Sequence, residues 1–498
     1  MREPVRHVRA ATGDTVCVLR EFGRSLASLV SVGPRRFRRH AWASHGRGRI
    51  EIRGLLSDPE AGSMPSAVAE ALRRVRGVRW AQVNAVTGHA LVLFDERQVD
   101  LATLVEAVGD VEAAGGHAQD GWSRAEPPHP DDPAALVSAA LGLAADVAGL
   151  GAALVSRVWV TPPVPTAARV AVGIIEAQPR IRRLLERGLG PSGTDAVVGL
   201  GSGMLNGLTG GVGPQLVTGL SHGLLVSEVR SRRAVWRARA AELEDTPGGL
   251  PEHPPTKSAR PVAYPPGPVE LFADRVAAAS LLTATSVFAL TRSPTRTANL
   301  LLVGVPPAAR LGREAFAATL ARRLARRGVV PMDPGVYRRL DRVTSVLIDE
   351  RLHPDAELIS ELAGLPWLTV EVGDDHTGDT VRRLQSAGEA VLVVAGGEED
   401  VLAAADVAVA VPLSGDRVGW AGDLIATSDP DTIAMVLRAV PAARTVSRRS
   451  VLVSAAGTVL AGAATIVSPV AVGDLTLQPV YLSGLLTQLY GARTARRL

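Results

Sequence analysis

The strongest constraint on the fold is a series of apolar runs, rich in small residues, that begins after residue 133. A membrane-crossing helix needs about 20 predominantly apolar residues, and several of these runs approach that length. They predict eight membrane helices, at 134–157, 164–178, 194–210, 213–228, 267–290, 296–310, 449–468 and 472–490. The polar stretches between them are long enough for soluble domains, so we expect an α+β protein with an α-helical membrane portion.

The distribution of Arg predicts how these helices cross the membrane. Cytoplasmic flanks are enriched in Arg and Lys, and Lys257 is the single Lys of a chain that has 54 basic residues. An eight-span topology with both termini in the cytoplasm places the main Arg clusters inside, with the segment 291–296 as the exception. We therefore expect a multi-pass protein of the cell membrane that contacts lipid and does not bind nucleic acid.

Residues 1–47 form a predicted basic arm. Its run at 35–40 holds four Arg and one His, and it either binds anionic lipid or stays solvated. The arm does not have the continuous apolar core of a secretory signal, because Arg20 and Arg24 interrupt its apolar stretch. Cys17 is the single cysteine, which excludes an internal disulfide or a site with two thiolates from this chain alone.

The soluble regions differ in their patterns. Residues 48–114 read as strand, helix, strand, strand, helix, which is typical of a ferredoxin-like module, and a Gly/Pro-rich linker follows at 115–133. The remaining predicted parts are membrane helices 1–4 at 134–228, a cytoplasmic helix with a Pro-rich linker at 229–266, membrane helices 5–6 at 267–310, an α/β domain at 311–447 and membrane helices 7–8 at 448–498.

The α/β region contains one apolar strand that ends in an acid, VTSVLID at 343–349. A continuous apolar run of this length is typical of a strand buried on both faces of a parallel sheet. Ligands of such sheets bind outside the carboxyl ends of the strands. The pattern therefore predicts that Asp349 presents its carboxylate at this edge.

The sequence around this strand resembles that of P-type cation-transporting ATPases. In that family a Pro-centred helix break, a small-residue helix, an Arg-Gly turn and an "L-x-x-V-x-x-hydrophobic-hydrophobic-D" strand lead to the phosphorylated Asp. The matching residues here are Pro306, Pro307, Arg327, Gly328, Leu340, Val343 and Asp349. Farther on, RRLQSAGEAVLVVAGGEEDVLAAADVAVAV at 382–411 is similar to the segment with GDGxND that closes the family's phosphorylation domain.

The resemblance extends to the organisation of the chain. Residues 48–114 are similar to the heavy-metal-associated domain of metal-transporting members, whose subclass also has two extra spans at the front. More narrowly, the chain resembles the degenerate front half of certain very long actinobacterial P-type ATPases. The resemblance implies a haloacid-dehalogenase-like phosphorylation domain, with Mg²⁺ and ATP as cofactors only if the family activity survives.

The residues that the family uses for phosphoryl transfer are replaced. Where the family has DKTGT, this chain has Asp349 followed by Glu350, Arg351, Leu352 and His353. An acid thus stands where a Lys should neutralise the transferring phosphoryl group. Where GDGxND holds Mg²⁺, the chain has residues 395–400, and only Asp400 keeps its position. Asp349 and Asp400 are therefore interpreted as vestigial, with a working nucleophile at Asp349 as the alternative.

Larger parts of the family architecture are also absent from the sequence. The stretch from Asp349 to Gly373 is too short for a nucleotide-binding domain, and no TGES-bearing insert lies between spans four and five. The family's CxxC metal loop is replaced by SDPEAGSMP at 57–65, which leaves Met64 as a lone soft ligand and favours a core position for it. No catalytic, cofactor or metal site is therefore predicted on the family pattern.

Several other polar residues have two interpretations. Asp146 in span one either faces a partner or cavity, as intramembrane acids usually do, or lies on an interfacial helix. His222 in span four is either a metal ligand or a packed, hydrogen-bonded residue. Glu398 and Glu399 suit the first turn of a helix. The Gly-rich segment 201–213 favours close helix packing over a phosphate loop.

Three functions follow from these observations. The first is a catalytically silent membrane protein that regulates or accompanies cation transport, with an active P-type ATPase or another membrane protein as partner. The second is a family member with residual cation transport. The third is a membrane-anchored haloacid-dehalogenase-like hydrolase, which Arg351 disfavours because such enzymes have a second acid two residues after the nucleophile.

Overall fold

The computed structural model describes residues 39, 41–44, 46–53, 64–117, 129–158, 212–244, 257–292, 308–413, 417–467 and 478–498. Their contacts divide the chain into two compact units, with the break points at Arg38, Asp132 and Val226. Several predicted features lie outside the described residues: the basic arm before Arg39 with Cys17, the spans at 164–178 and 194–210, the Gly-rich segment up to 211, and Pro306 with Pro307.

The front module is a four-stranded antiparallel sheet with two helices. Its strand order is β1-β2-β4-β3. Helix α1 begins at Met64 and buries one face, including Val68 and Leu72, against the sheet. The elements are β1 (Ala41–Ser44), β2 (Arg47–Glu51), α1 (Met64–Arg74), β3 (Val78–Asn84), β4 (His89–Phe94) and α2 (Leu101–Ala114).

Strand β1 was not predicted, because it lies in the segment interpreted as a basic arm. It pairs antiparallel with β2, from Ala41 opposite Ile50 to Ser44 opposite Arg47. Gly46 makes the tight turn between them with a φ of 75°, a conformation that glycine adopts without steric cost. The module therefore extends to at least Ala41, upstream of the predicted boundary at residue 48.

Three long helices follow the front module. They are α3 (Pro133–Val158), α4 (Val212–Glu244) and α5 (Pro268–Thr291). Among the described residues, α5 is the one helix whose length and composition suit a membrane crossing, with a mean hydropathy of 1.3 over an 18-residue window of which 6% is buried. The eight-span topology stays a prediction, since much of it falls outside the residues described.

The α/β domain is a six-stranded sheet of order β5-β10-β9-β8-β6-β7. All neighbours are parallel except β5 and β10. Apolar clusters cover both faces of the sheet. The elements are α6 (Ala308–Arg326), β5 (Val330–Pro331), β6 (Ser345–Asp349), α7 (Ala356–Ala363), β7 (Thr369–Gly373), α8 (Gly378–Ser386), β8 (Val391–Ala395), α9 (Glu399–Ala404), β9 (Val407–Ala410) and β10 (Leu424–Ile425).

Two further helices complete the chain, α10 (Pro430–Val467) and α11 (Gln478–Arg497). The first half of α10 contributes Val436, Val440 and Val446 to the core of the α/β domain. Its second half exposes large apolar side chains, and Val459 is 70% exposed. A single helix thus crosses the predicted boundary at residues 447 and 448, although Arg448 and Arg449 separate its two apolar halves.

Candidate functional site

The carboxyl ends of β6 and β8 lie at the edge of the sheet where Asp349 and the second acidic motif, 395–400, were predicted. From β6 the chain passes through α7 to β7 on one side, and then through α8 to β8 on the other side of β6. This reversal of strand order is the position at which open α/β sheets bind ligands. Asp349 is the last residue of β6, and Gly396 directly follows β8.

The Asp349 carboxylate is buried and fully engaged by neighbouring donors. Its Oδ1 accepts hydrogen bonds from the Arg351 amide at 2.9 Å and from Arg351 Nε at 3.1 Å. Its Oδ2 accepts from Arg351 Nη2 at 2.6 Å, from Nε at 3.1 Å and from the Gly396 amide at 3.4 Å. Asp349 also caps the short 3₁₀ helix that runs from Glu350 to Leu352. Both carboxylate oxygens therefore have partners within the chain.

Arg351 joins the two motifs across this edge. In addition to its hydrogen bonds to both oxygens of Asp349, Arg351 donates from Nη2 to the carboxylate of Glu398, which lies on the loop after β8. The guanidinium thus stands between one acid from each of the two matched motifs. A cation of the chain itself therefore lies between the two carboxylates.

The electrostatics of the pair follow from this geometry. Burial alone would raise the pKa of the Asp349 carboxyl, but the hydrogen bonds and positive charge of Arg351 outweigh it, so the net pKa lies below the ordinary value. The same hydrogen bond to Asp349 raises the pKa of Arg351. Both groups therefore stay charged at neutral pH, and the attraction between them is at its full strength there.

The other acids of the second motif have structural contacts. Glu399 accepts hydrogen bonds from the amides of Trp420 and Ala421, at 2.8 and 3.0 Å, and burial raises its pKa. Asp400 accepts a hydrogen bond at 3.4 Å from the Gly378 amide at the start of α8. Asp400 thus has its contact on α8, whereas Glu398, which the sequence singled out only as a helix start, reaches Asp349 through Arg351.

The connection after β6 is short and leads back to the same sheet. The chain forms the two-turn helix α7 and then β7, which lies at the sheet edge parallel to β6 with Asp349 opposite Gly373. Leu358 and Leu362 of α7 pack into the domain core. The short connection is therefore an ordinary crossover that completes the sheet.

The structure brings together the two polar residues predicted in separate apolar spans. His222 Nδ1 of α4 donates a hydrogen bond to Asp146 Oδ2 of α3 at 2.5 Å. Thr218, one turn before His222, donates to Asp146 Oδ1 at 2.8 Å. The Asp146 side chain is 8% exposed and that of His222 is 35% exposed. An acid, a His and a Thr thus form one polar cluster between two apolar helices.

The sequence did not predict a buried ion-pair cluster that Asp131 forms at the end of the linker 115–133. Asp131 is buried, and its carboxylate accepts hydrogen bonds from Arg49 of the front module and from Arg233 and Arg237 of α4. These contacts join residues that are far apart in sequence. The sequence pattern therefore predicted a linker from its composition but did not predict the ion pairs of Asp131. The Arg cluster of 230–239 was the signal that could have indicated an acidic partner.

Aromatic and imidazole rings pack next to this ion-pair cluster. His129 packs edge-on against Trp42, His89 and Trp236, with ring centroids 5.1 to 5.5 Å apart. Burial lowers the pKa of His129 well below its ordinary value, and the neighbouring His89 adds repulsion. The rings fill the space between the front module and α4, and Trp236 also packs beside Met332 and Trp420 of the α/β domain.

The remaining metal candidate has a packing role. Met64 is 6% exposed and belongs to the apolar core of the front module. Within the described ranges, no group of three or more His, Cys, Asp and Glu side chains is arranged to hold a metal ion.

Comparison with known proteins supports a relationship to ion pumps. No protein family model matches the chain. The chain is 30% identical, over an alignment of 348 residues that covers 62% of the chain, to "Probable cation-transporting ATPase I" of Mycobacterium leprae (strain TN), of which it covers 22%. Proteins of the same name from two Mycobacterium tuberculosis strains are 30% identical over 349 residues, and the chain covers 21% of each. The chain is therefore related to cation-transporting ATPases, as the motifs predicted, and spans about a fifth of these relatives.

Proposed function

We propose that this chain is a catalytically silent, membrane-embedded relative of heavy-metal-type P-type ATPases that acts as an accessory or regulatory partner in cation transport. Its partner is an active P-type ATPase or another membrane protein. The sequence relationship supports the link to cation transport. Several apolar runs and the exposed helix α5 support a multi-pass location in the cell membrane.

The observation that carries catalytic silence is the position of Arg351. The Arg351 guanidinium contacts Asp349 and Glu398 at the same time. The carboxylate of the candidate nucleophile, Asp349, is therefore already paired with a cation of the same chain. Phosphoryl transfer needs that carboxylate free to attack, together with Mg²⁺ and a Lys or Arg beside the phosphoryl group. Removing even one positioned charge stabiliser commonly lowers an enzymatic rate on the order of a hundredfold. The replaced motifs and the short crossover at α7 remove several such groups at once.

The test is an attempt to trap the phosphoenzyme. The full chain in membranes is incubated with γ-labelled ATP and Mg²⁺, quenched in acid and separated on an acid gel, with an active P-type ATPase run in parallel. We expect no hydroxylamine-sensitive label on this chain, and the same result for Asp349→Asn. A label that appears on the wild-type chain and disappears in Asp349→Asn would show that the chain is an enzyme.

Residual cation transport is the second candidate, and the Asp146 cluster favours it. An acid bonded to His222 and Thr218 between apolar helices is the kind of group that marks an ion or proton path in membrane proteins. The discriminating measurement is cation flux into vesicles that contain the purified chain. Flux that depends on Asp146 and survives Thr218→Val would favour transport, whereas absence of flux above empty vesicles favours the accessory function.

A further inference from the structure

Five Arg side chains line one cavity at the ends of two helices. The cavity has a volume of about 380 Å³ and lies where α6 and α11 both finish. We call it the Arg pocket, and its lining residues are Arg322, Arg323, Arg326, Arg327 and Arg496. This volume falls within the range of small-molecule sites in proteins, which runs from roughly 300 to 1,000 Å³.

The charge of the Arg pocket is only partly balanced by the rest of the described chain. Arg327 forms an ion pair with Asp429 at 3.4 Å, whereas the other four Arg side chains form no ion pair with an acid in the part of the chain that the structure describes. Arg323 is held by the backbone carbonyls of Ala495 and Arg496. Neutral carbonyls position a guanidinium but do not cancel its charge, so the pocket carries a strong positive potential.

Arg322 has a donor that the fold does not use. Its Nη1 donates to Ser227 Oγ at 3.4 Å, but its Nε is buried without a hydrogen-bond partner. Burial lowers the pKa of Arg322, and repulsion from Arg326 and Arg496 lowers it further. A buried donor without an acceptor is costly, and the like charges around it add to that cost. A bound anion would relieve the repulsion between these charges.

We propose that the Arg pocket binds a phosphate group. Guanidinium groups bind phosphate through paired, charge-assisted hydrogen bonds, and several converging guanidiniums suit a doubly charged group better than a single carboxylate. Arg322 contacts Ser227, which lies in the predicted fourth span at 213–228, and Arg496 follows the predicted eighth span at 472–490. The pocket is therefore close enough to the predicted membrane surface for either a lipid headgroup or a soluble compound to supply the phosphate.

Binding is measured on the full chain in neutral detergent by isothermal titration with pyrophosphate, at low and at physiological salt. The test variant is Arg326→Gln/Arg496→Gln, because both side chains are exposed and their loss leaves the packed helices intact. The control is Arg493→Gln/Arg497→Gln, which removes the same charge from exposed positions of α11 that do not line the cavity. A second arm uses flotation with vesicles of neutral lipid, alone or with phosphatidylinositol phosphate.

We expect saturable binding of one pyrophosphate, weaker by about tenfold for each Arg removed from the pocket and little changed in the control, since one charge-assisted hydrogen bond has about this effect. Pocket-dependent binding of pyrophosphate would assign the site to soluble compounds, whereas pocket-dependent binding only to the phosphoinositide vesicles would assign it to a lipid headgroup. Absence of saturable binding in both arms, or equal losses in the two variants, would overturn the proposal.

Discussion

Replacing Arg351 by Gln should destabilise the α/β domain by a modest, calculable amount. The change removes the side-chain donors from the buried Asp349 carboxylate but keeps the amides of Arg351 and Gly396. A hydrogen bond to a charged group contributes about 1.5–3 kcal/mol. The Arg351 side chain is 45% exposed, so solvent screening reduces this contribution. We expect a loss of about 1–2 kcal/mol, which corresponds to a fall in Tm of roughly 3–6 °C.

The sign of the pH dependence follows from the depressed pKa of Asp349. Above the ordinary Asp pKa of about 3.9, the carboxylate is charged in both the folded and the unfolded chain, and Arg351 contributes fully. As the pH falls through the lower pKa of the folded state, Asp349 becomes protonated and the contribution is lost. The stability gap between wild type and Arg351→Gln should therefore be constant from pH 7 to 5 and shrink below pH 4.

The assay is thermal unfolding of the full chain in detergent, followed by Trp fluorescence. Trp420 is a suitable reporter because its amide donates to Glu399 beside the site. Arg382→Gln is the matched control, since Arg382 is 44% exposed and pairs with Asp379, which is 96% exposed. This control should change the Tm by little. Equal shifts for the two variants, or a gap that widens below pH 4, would refute the pairing.

Three other changes have defined outcomes. Asp131→Asn should lower stability by about 3 kcal/mol, because it removes the negative charge of a buried acid that Arg49, Arg233 and Arg237 share, and limited proteolysis should then cut between the front module and α4. Asp146→Asn should lower the Tm in detergent by more than Thr218→Val, since interhelical bonds contribute about 0.6–2 kcal/mol each and Asp146 accepts two. The full chain should stay with membranes through alkaline carbonate extraction, and its release into the soluble fraction would contradict the membrane location.

The sequence predicted the features that depend on local pattern. Strand β6 has the apolar residues 346–348 and ends in an acid, so its burial and the place of Asp349 at the sheet edge could be predicted from the sequence VTSVLID. Helix α1 was visible in the spacing of its apolar residues. Strand β1 was not, because four residues beside a basic run carry too little pattern, and its stability comes from pairing with β2.

The features that sequence reasoning missed depend on contacts between distant segments. Asp146 was identified as a costly acid in an apolar span and His222 as either a metal ligand or a packed, hydrogen-bonded residue, but the hydrogen bond between them depends on how α3 and α4 pack. Asp131 lay in a segment whose Gly/Pro composition predicted only a linker, and its partners on α4 are about a hundred residues away. Arg351 was interpreted only as a departure from the family motif. Its ion pair with Glu398 could not be predicted, because it depends on β6 and β8 being neighbours in the sheet.

The residues around Asp349 balance the charge at this edge of the sheet. Asp349 at the end of β6 and Glu398 on the loop after β8 are like charges, and like charges in a partly buried site repel each other unless a cation lies between them. The Arg351 guanidinium contacts both carboxylates, so one side chain neutralises Asp349 and Glu398 and ties the loop after β6 to the loop after β8. The Asp349 carboxylate also accepts a hydrogen bond from the Gly396 amide, and its contacts thereby stabilise the edge of the sheet.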